Sequence, residues 1–174
     1  MKGVGAYAFL QTVDLSQKYV EIYTGLELDT TNNRTEMLAI LNAIDRMWFD
    51  GYRGLIEIYS DSGYVVNGYN NPSYLDKWVQ NGWKTSTKKP VLNQDLWQRF
   101  LNIPWDSKFH LNLIKGHSKD KNQIHAFWND ICDKACTYTM NNVSSTDVVN
   151  VLRYYFDTKV MTKVGEIKEA KWNN

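Results

Sequence analysis

Asp29-Thr30-Thr31-Asn32-Asn33-Arg34-Thr35-Glu36-Met37-Leu38-Ala39-Ile40-Leu41-Asn42-Ala43-Ile44 is the stretch on which the fold turns. Its first five residues carry short hydroxyl, amide and carboxylate side chains, the types that accept from the free N–H groups at a helix start. The apolar residues that follow return at helical spacing, so the stretch predicts a helix opening near Arg34. Glu36 would then lie in the first turn, on a backbone rigid enough to aim a carboxylate.

Working outward, Gly5-Ala6-Tyr7-Ala8-Phe9-Leu10 reads as a short strand. Lys18-Tyr19-Val20-Glu21-Ile22-Tyr23 alternates with period two and reads as its hairpin partner, across a polar turn at residues 14–17. Downstream, Gly51 and Gly54 bracket a turn into Leu55-Ile56-Glu57-Ile58-Tyr59-Ser60, a strand ending immediately before Asp61. Residues 62–68 read as a short helix. An acid at the carboxyl end of a strand occupies the place where open α/β sheets hold ligands. A last short strand is expected at residues 111–114 and a polar loop at 115–122. A helix at about 124–140 carries Asp133.

Composition bounds the rest. The chain has 174 residues, 43% of them hydrophobic, which suits one cored domain. Its formal charge of +1 gives no global positive field, so any nucleic-acid surface must be a local cluster. Seven Trp and eleven Tyr supply core or stacking surface without dividing the two roles. Cys132 and Cys136 stand four apart in a helical pattern and make neither a disulfide framework nor a zinc site. They read as reduced thiols, which suits a cytoplasmic setting. No stretch has the length of a membrane span, and the opening residues lack a leader pattern, so no membrane is expected as a partner.

Four blocks in register carry a family resemblance. They are Thr30-Thr31-Asn32-Asn33-Arg34-Thr35-Glu36; Tyr59-Ser60-Asp61-Ser62; Asn81-Gly82-Trp83-Lys84-Thr85 with Lys88-Lys89-Pro90-Val91 and Asp95-Leu96-Trp97; and Lys115-Gly116-His117-Ser118 followed by Asn129-Asp130-Ile131-Cys132-Asp133. The chain resembles type 1 ribonuclease H over roughly residues 3 to 142. The resemblance implies an α/β fold, a mixed five-stranded sheet flanked by helices. It also implies hydrolysis of the RNA strand of an RNA–DNA hybrid by two divalent metals, Mg²⁺ with Mn²⁺ as an alternative. Glu36, Asp61 and Asp133 match three of the family's four carboxylates, and His117 matches its mobile histidine.

The residue chemistry suits those roles. Carboxylates are hard oxygen ligands for Mg²⁺, which activates water and stabilises phosphate charge. Taken singly, each acid also reads as a cap or a solvated surface group. A histidine titrating near neutrality can carry a proton beside a metal-bound water, and equally can be a solvated loop residue. Lys84, Lys88 and Lys89 can track phosphates while Trp83 packs on sugar or base; the bland reading is a solvated lysine loop over a core Trp. Thr31, Asn32 and Asn33 suit contact with backbone oxygens or a 2′-OH, and capping is compatible with that.

One feature of the family pattern is missing. The family opens with a strand ending in Tyr-Thr-Asp-Gly, central in its sheet order 3-2-1-4-5, whose Asp is the fourth ligand. Here Gly3-Val4-Gly5-Ala6-Tyr7 resembles the entrance to the second strand. Without the first strand two interior edges would keep unsatisfied N–H and C=O groups. Residues 143–174, set apart from the ribonuclease H-like core at 1–142, could fill the centre. In that reading Val151-Leu152-Arg153-Tyr154-Tyr155-Phe156 is the strand and Asp157 the fourth ligand. A second chain could supply the strand instead, or the fold could adjust. The tail also reads as an amphipathic helix from Ser144 or Ser145. The rival in function is a catalytically impaired ribonuclease H-like protein that binds nucleic acid or serves assembly.

Overall fold

The computed structural model describes residues 3–12, 17–104, 107–116 and 124–168. β1 (Gly3–Leu10) and β2 (Tyr19–Thr30) form an antiparallel hairpin, in register from Gly5 opposite Glu27 to Leu10 opposite Ile22. β2 runs well past the expected Tyr23. Gly25 permits this, because a Cβ there would collide with the ring of Tyr7 lying across the strand.

α1 (Asn32–Phe49) follows directly, with Thr31 as N-cap and its hydroxyl accepting from Arg34 N at 3.4 Å. Because the helix opens at Asn32, Glu36 lies in its second turn and not its first. β3 (Leu55–Ser60), α2 (Gly63–Asn70), α3 (Pro72–Gln80), α4 (Gln94–Leu101) and β4 (Lys108–Leu113) come next. β3 and β4 pair in parallel, Leu55 opposite Lys108 through Ser60 opposite Leu113. α5 (Ile124–Asn142) precedes a second hairpin, β5 (Val148–Tyr155) and β6 (Val160–Lys168).

The α/β class with flanking helices is as expected, but the sheet is divided. Among the described residues there are two sheets, one ordered β1-β2-β5-β6 and one made of β3 and β4. Helices cover two opposite faces. On one, α1 buries Met37, Leu41 and Ile44 with Tyr7 and Phe9 of β1, Val65 and Val66 of α2, and Trp97 and Phe100 of α4. On the other, Ile131 and Ala135 of α5 pack on Val20 and Ile22 of β2 and on Leu152 and Tyr154 of β5.

The tail is a strand and not a helix, yet it does not restore the centre. β5 pairs antiparallel with the outer edge of β2, Tyr19 opposite Tyr155 through Thr24 opposite Asn150. The reason lies in the packing. Leu152 is fully buried against Val20, Ile22 and α5, and residues 143–147 suffice for an antiparallel return to that patch. Arg153, the awkward charge in this strand, bonds Glu21 at 2.9 Å and lies over the Tyr19 ring at 4.2 Å.

Candidate active site

Three acids lie within electrostatic reach of one another near the end of β3. Asp61 leaves β3 and is held between two local devices. Ser62 N donates to Ser60 Oγ at 3.1 Å, and Ser62 caps α2 by accepting from Val65 N at 3.4 Å. Asn129 of α5 donates to Asp61 Oδ2 at 3.0 Å. Gly116 lies against the same carboxylate, so closely that any Cβ there would collide with it.

Glu36 reaches the site from α1, and Asp133, solvent-exposed, from α5. Burial, and then the charges of Asp61 and Asp133, push the Glu36 carboxyl up to about 7. The three therefore share one negative field, and the cause is proximity in space of acids far apart in sequence. Among the described residues no three His, Cys, Asp or Glu side chains stand close enough to hold a metal ion. The donor chemistry fits a hard divalent cation.

Asp157 is not part of this group. It is exposed in the turn between β5 and β6, beside a hollow lined by Lys18, Tyr19 and Tyr155 at the start of β2. Glu36 follows the other end of β2. Twelve residues at about 3.3 Å each separate those ends by on the order of 35 Å. Its proposed ligand role is withdrawn for that reason. His117 lies outside the described residues.

Thr31, Asn32 and Asn33 are exposed at the start of α1, and Thr31 and Asn33 line an open hollow with Arg34, Leu92 and Asn93. Arg34 locks this corner by a two-pronged pair with Asp95 of α4, at 2.8 and 2.7 Å. That hydrogen-bonded pair holds the Asp95 carboxyl below its usual range.

Residues 83–91 form a tight turn. Val91 N donates to Trp83 O at 3.0 Å and Thr85 N to Lys89 O at 2.8 Å, with Lys88 at positive φ at the tip. Lys84, Lys88 and Lys89 are exposed, while Trp83 is partly buried against the α1-side core. The lysines thus remain candidates for phosphate contact, and the Trp side chain acts largely as the turn's anchor.

Asn129 and Gly116 had no role in the sequence reading, although both sit in quoted blocks. The available signal was spacing, since Asn129 precedes Asp133 by four residues and so shares its helix face. The cysteines are free. Burial pushes the Cys132 thiol far above its usual range and Cys136 up to about 12, so neither is a ready thiolate.

A mixed α/β core with acids gathered from a strand end and two helices defines a ribonuclease H-like class of fold. The RNase H family profile matches residues 2–141, and the chain belongs to that family. A "Ribonuclease H" of Acetivibrio thermocellus is 40% identical over 114 residues, 66% of this chain and 71% of that protein. The crystal structure of LC9-RNase H1, a type 1 RNase H with the type 2 active-site motif, superposes with a TM-score of 0.58 at 16% identity. It covers 94% of this chain and 77% of that one. The foamy viral protease-reverse transcriptase in complex with RNA/DNA hybrid gives 0.54 at 18% identity, covering 82% of this chain and 20% of that one. β5 and β6 lie beyond the residues that the family profile matches.

Proposed function

We propose that this chain is an endoribonuclease that hydrolyses the RNA strand of an RNA–DNA hybrid, with divalent cations, Mg²⁺ or Mn²⁺, at Glu36, Asp61 and Asp133. The observation that carries this is the shared negative field of the three acids, in a family of ribonucleases H. A bound cation would supply a nucleophilic water and charge stabilisation at the phosphate. The chain's own part is to hold oxygen ligands at the end of β3, with Asn129 fixing Asp61, and to seat the duplex. Thr31, Asn32 and Asn33 offer donors and acceptors suited to a 2′-OH beside the acids. The turn of Lys84, Lys88 and Lys89, joined to the same hollow through residues 89–93, offers charge for the DNA backbone. His117 is assigned proton transfer by resemblance. The two free thiols suit a reducing, cytoplasmic setting.

A second reading has one observation in its favour. Asp157, the candidate fourth ligand, lies at the far end of β2 from the other three acids, which suits a nucleic-acid-binding protein impaired in catalysis. Asp61→Asn separates the two, because it removes a ligand charge while keeping shape. Cleavage of a labelled hybrid in Mg²⁺ should fall by about two orders of magnitude, with hybrid affinity within about threefold of the parent. Equal cleavage by parent and variant would remove Asp61 from the site. A parent that binds hybrid and never cleaves it would establish the second reading.

A further inference from the structure

His125, Asn129 and Asp133 stand four residues apart in α5 and so form one stripe along the helix. Two of the three are tied to β3 and its end. The His125 ring lies face to face on Tyr59, with 3.6 Å between ring centroids and 11° between the planes, and the Asn129 amide donates to Asp61 Oδ2 at 3.0 Å. Tyr59 and Asp61 are themselves two residues apart, and both meet α5. The two spacings match. Four residues of helix advance about 6 Å and two residues of strand about 6.6 Å, so α5 runs alongside the end of β3 with one rung at each repeat. The next repeat of the stripe carries Asp133, about 6 Å further along the helix.

His125 lies outside the blocks that carry the family resemblance, and it is the second residue of α5. The first turn of a helix has no intrahelical partners for its N–H groups, and such ends open easily unless packing holds them. On the hairpin side the turn is held by Phe127 and Trp128, whose rings meet Phe156 at 6.4 and 5.7 Å between centroids. Those contacts draw the helix toward β5. The His125 stack is instead a contact with β3, the strand that delivers Asp61. Tyr59 is 41% exposed and His125 is half-buried, so the pair adds little to the core and is placed to fix position.

We propose that His125 is a positioning residue for hybrid cleavage, whose stack on Tyr59 sets the advance of α5 along β3 and thereby the approach of Asn129 and Asp133 to Asp61. The imidazole acts as a flat ring and is given no proton to carry. Without the stack the first turn of α5 is free to slide or lift, and Asn129, one turn on, loses its fixed reach to the Asp61 carboxylate. A shift on the order of 1 Å in a ligand is enough to cost a large factor in rate. The structural half of this inference stands on the two contacts, and its catalytic half rests on the nuclease reading. A merely stabilising contact would instead lower the melting temperature and leave the surroundings of Asp61 unchanged in the folded chain.

The test compares the full chain with His125→Ala, His125→Leu, His125→Phe, Tyr59→Ala and the double variant with Ala at both positions, at one pH. Two quantities are read: the side-chain amide resonances of Asn129 in the ¹⁵N-labelled chain without metal, and kcat and KM for a labelled hybrid in Mg²⁺. His125→Ala should move the Asn129 amide toward the position of a free amide and cut kcat at least about fivefold, with KM within about twofold of the parent. His125→Leu keeps bulk without a flat face and should behave like the Ala variant, which keeps the test open if the Ala variant does not fold. His125→Phe restores the stack and should return both quantities to near the parent. The double variant should lose no more than His125→Ala alone, because the two rings act as one unit. An unmoved Asn129 amide in the Ala and Leu variants overturns the proposal. So does an equal loss in the Phe variant, which would assign the effect to the imidazole nitrogens, and so do losses that multiply in the double variant. The resonance is read without hydrolysis. A moved amide in a protein whose parent never cleaves hybrid therefore counts against the nuclease reading alone, and undiminished cleavage with an unmoved amide counts against the positioning role alone.

Discussion

Glu36 is the residue where environment and chemistry meet most directly. Folding raises its carboxyl from 4.5 to about 7, chiefly by burial and then through Asp61 and Asp133. Between those values the folded chain holds a proton that the unfolded chain has released. Stability is therefore highest below the window and falls as pH rises through it, by at most about 3 kcal/mol. Glu36→Gln should flatten this dependence, so that urea midpoints near pH 5 and near pH 8 differ less than in the parent. An unchanged difference would mean that Glu36 does not feel its neighbours. Gly116 gives a second test, because a Cβ there meets the Asp61 carboxylate. Gly116→Ala should cut hybrid cleavage by at least about tenfold through displacement of a metal ligand, with little change in melting temperature. Glu36 and Asp61 stand out in the sequence through the blocks that carry the family resemblance, and local signals place them near a helix start and at a strand end. Gly116 does not, since its contact with Asp61 spans 55 residues of chain, and Asn129 is marked only by its spacing from Asp133, which gives no sign of the contact with Asp61 across 68 residues.

At the scale of elements, periodicity identifies a strand but not its neighbour. Residues 151–156 read either as a strand or as part of a helix; residues 151–155 are extended, and their apolar run suits a central strand as well as an outer one. What decides the pairing is the packing of Leu152 and Tyr154 on β2 and α5, together with the Glu21–Arg153 pair across the two strands. The basic turn at 83–91 shows the converse, a local structure readable as a loop over a packed Trp whose closing backbone hydrogen bonds are visible only in three dimensions. Replacing Lys84, Lys88 and Lys89 together with Gln should weaken hybrid binding and lower its dependence on salt. For B-DNA each phosphate contact contributes about 0.9 to the slope of log K against log salt, so a loss of roughly 2 to 3 is expected in a fluorescence titration over salt. An unchanged slope would assign these lysines to solvent. Because the turn is held by backbone bonds and Trp83, the variant should keep its fold.

For the whole molecule, the family match at residues 2–141 and the extent of the core do not coincide. The boundary between a core at 1–142 and a segment at 143–174 marks where the family resemblance ends, and the packing of the second hairpin runs across it. Leu152 is wholly buried, Tyr154 nearly so, and together they cover Val20 and Ile22 of β2 and Ile131 of α5. Removing residues 143–174 would lay bare that apolar surface and free the outer edge of β2, so the truncated chain should aggregate instead of folding as a smaller enzyme. A gentler change makes the same point in a soluble protein. Leu152→Ala deletes three buried carbons in a cluster that joins the hairpin to α5, and should cost about 2 to 5 kcal/mol in urea unfolding. α5 also carries Asp133 and Asn129, so loosening its underside should disturb the acid cluster from a distance. Hybrid cleavage by Leu152→Ala should fall well below the parent at a temperature where circular dichroism shows the chain still folded. A truncated chain that stays monomeric and cooperative would instead place all the stabilising core within residues 1–142.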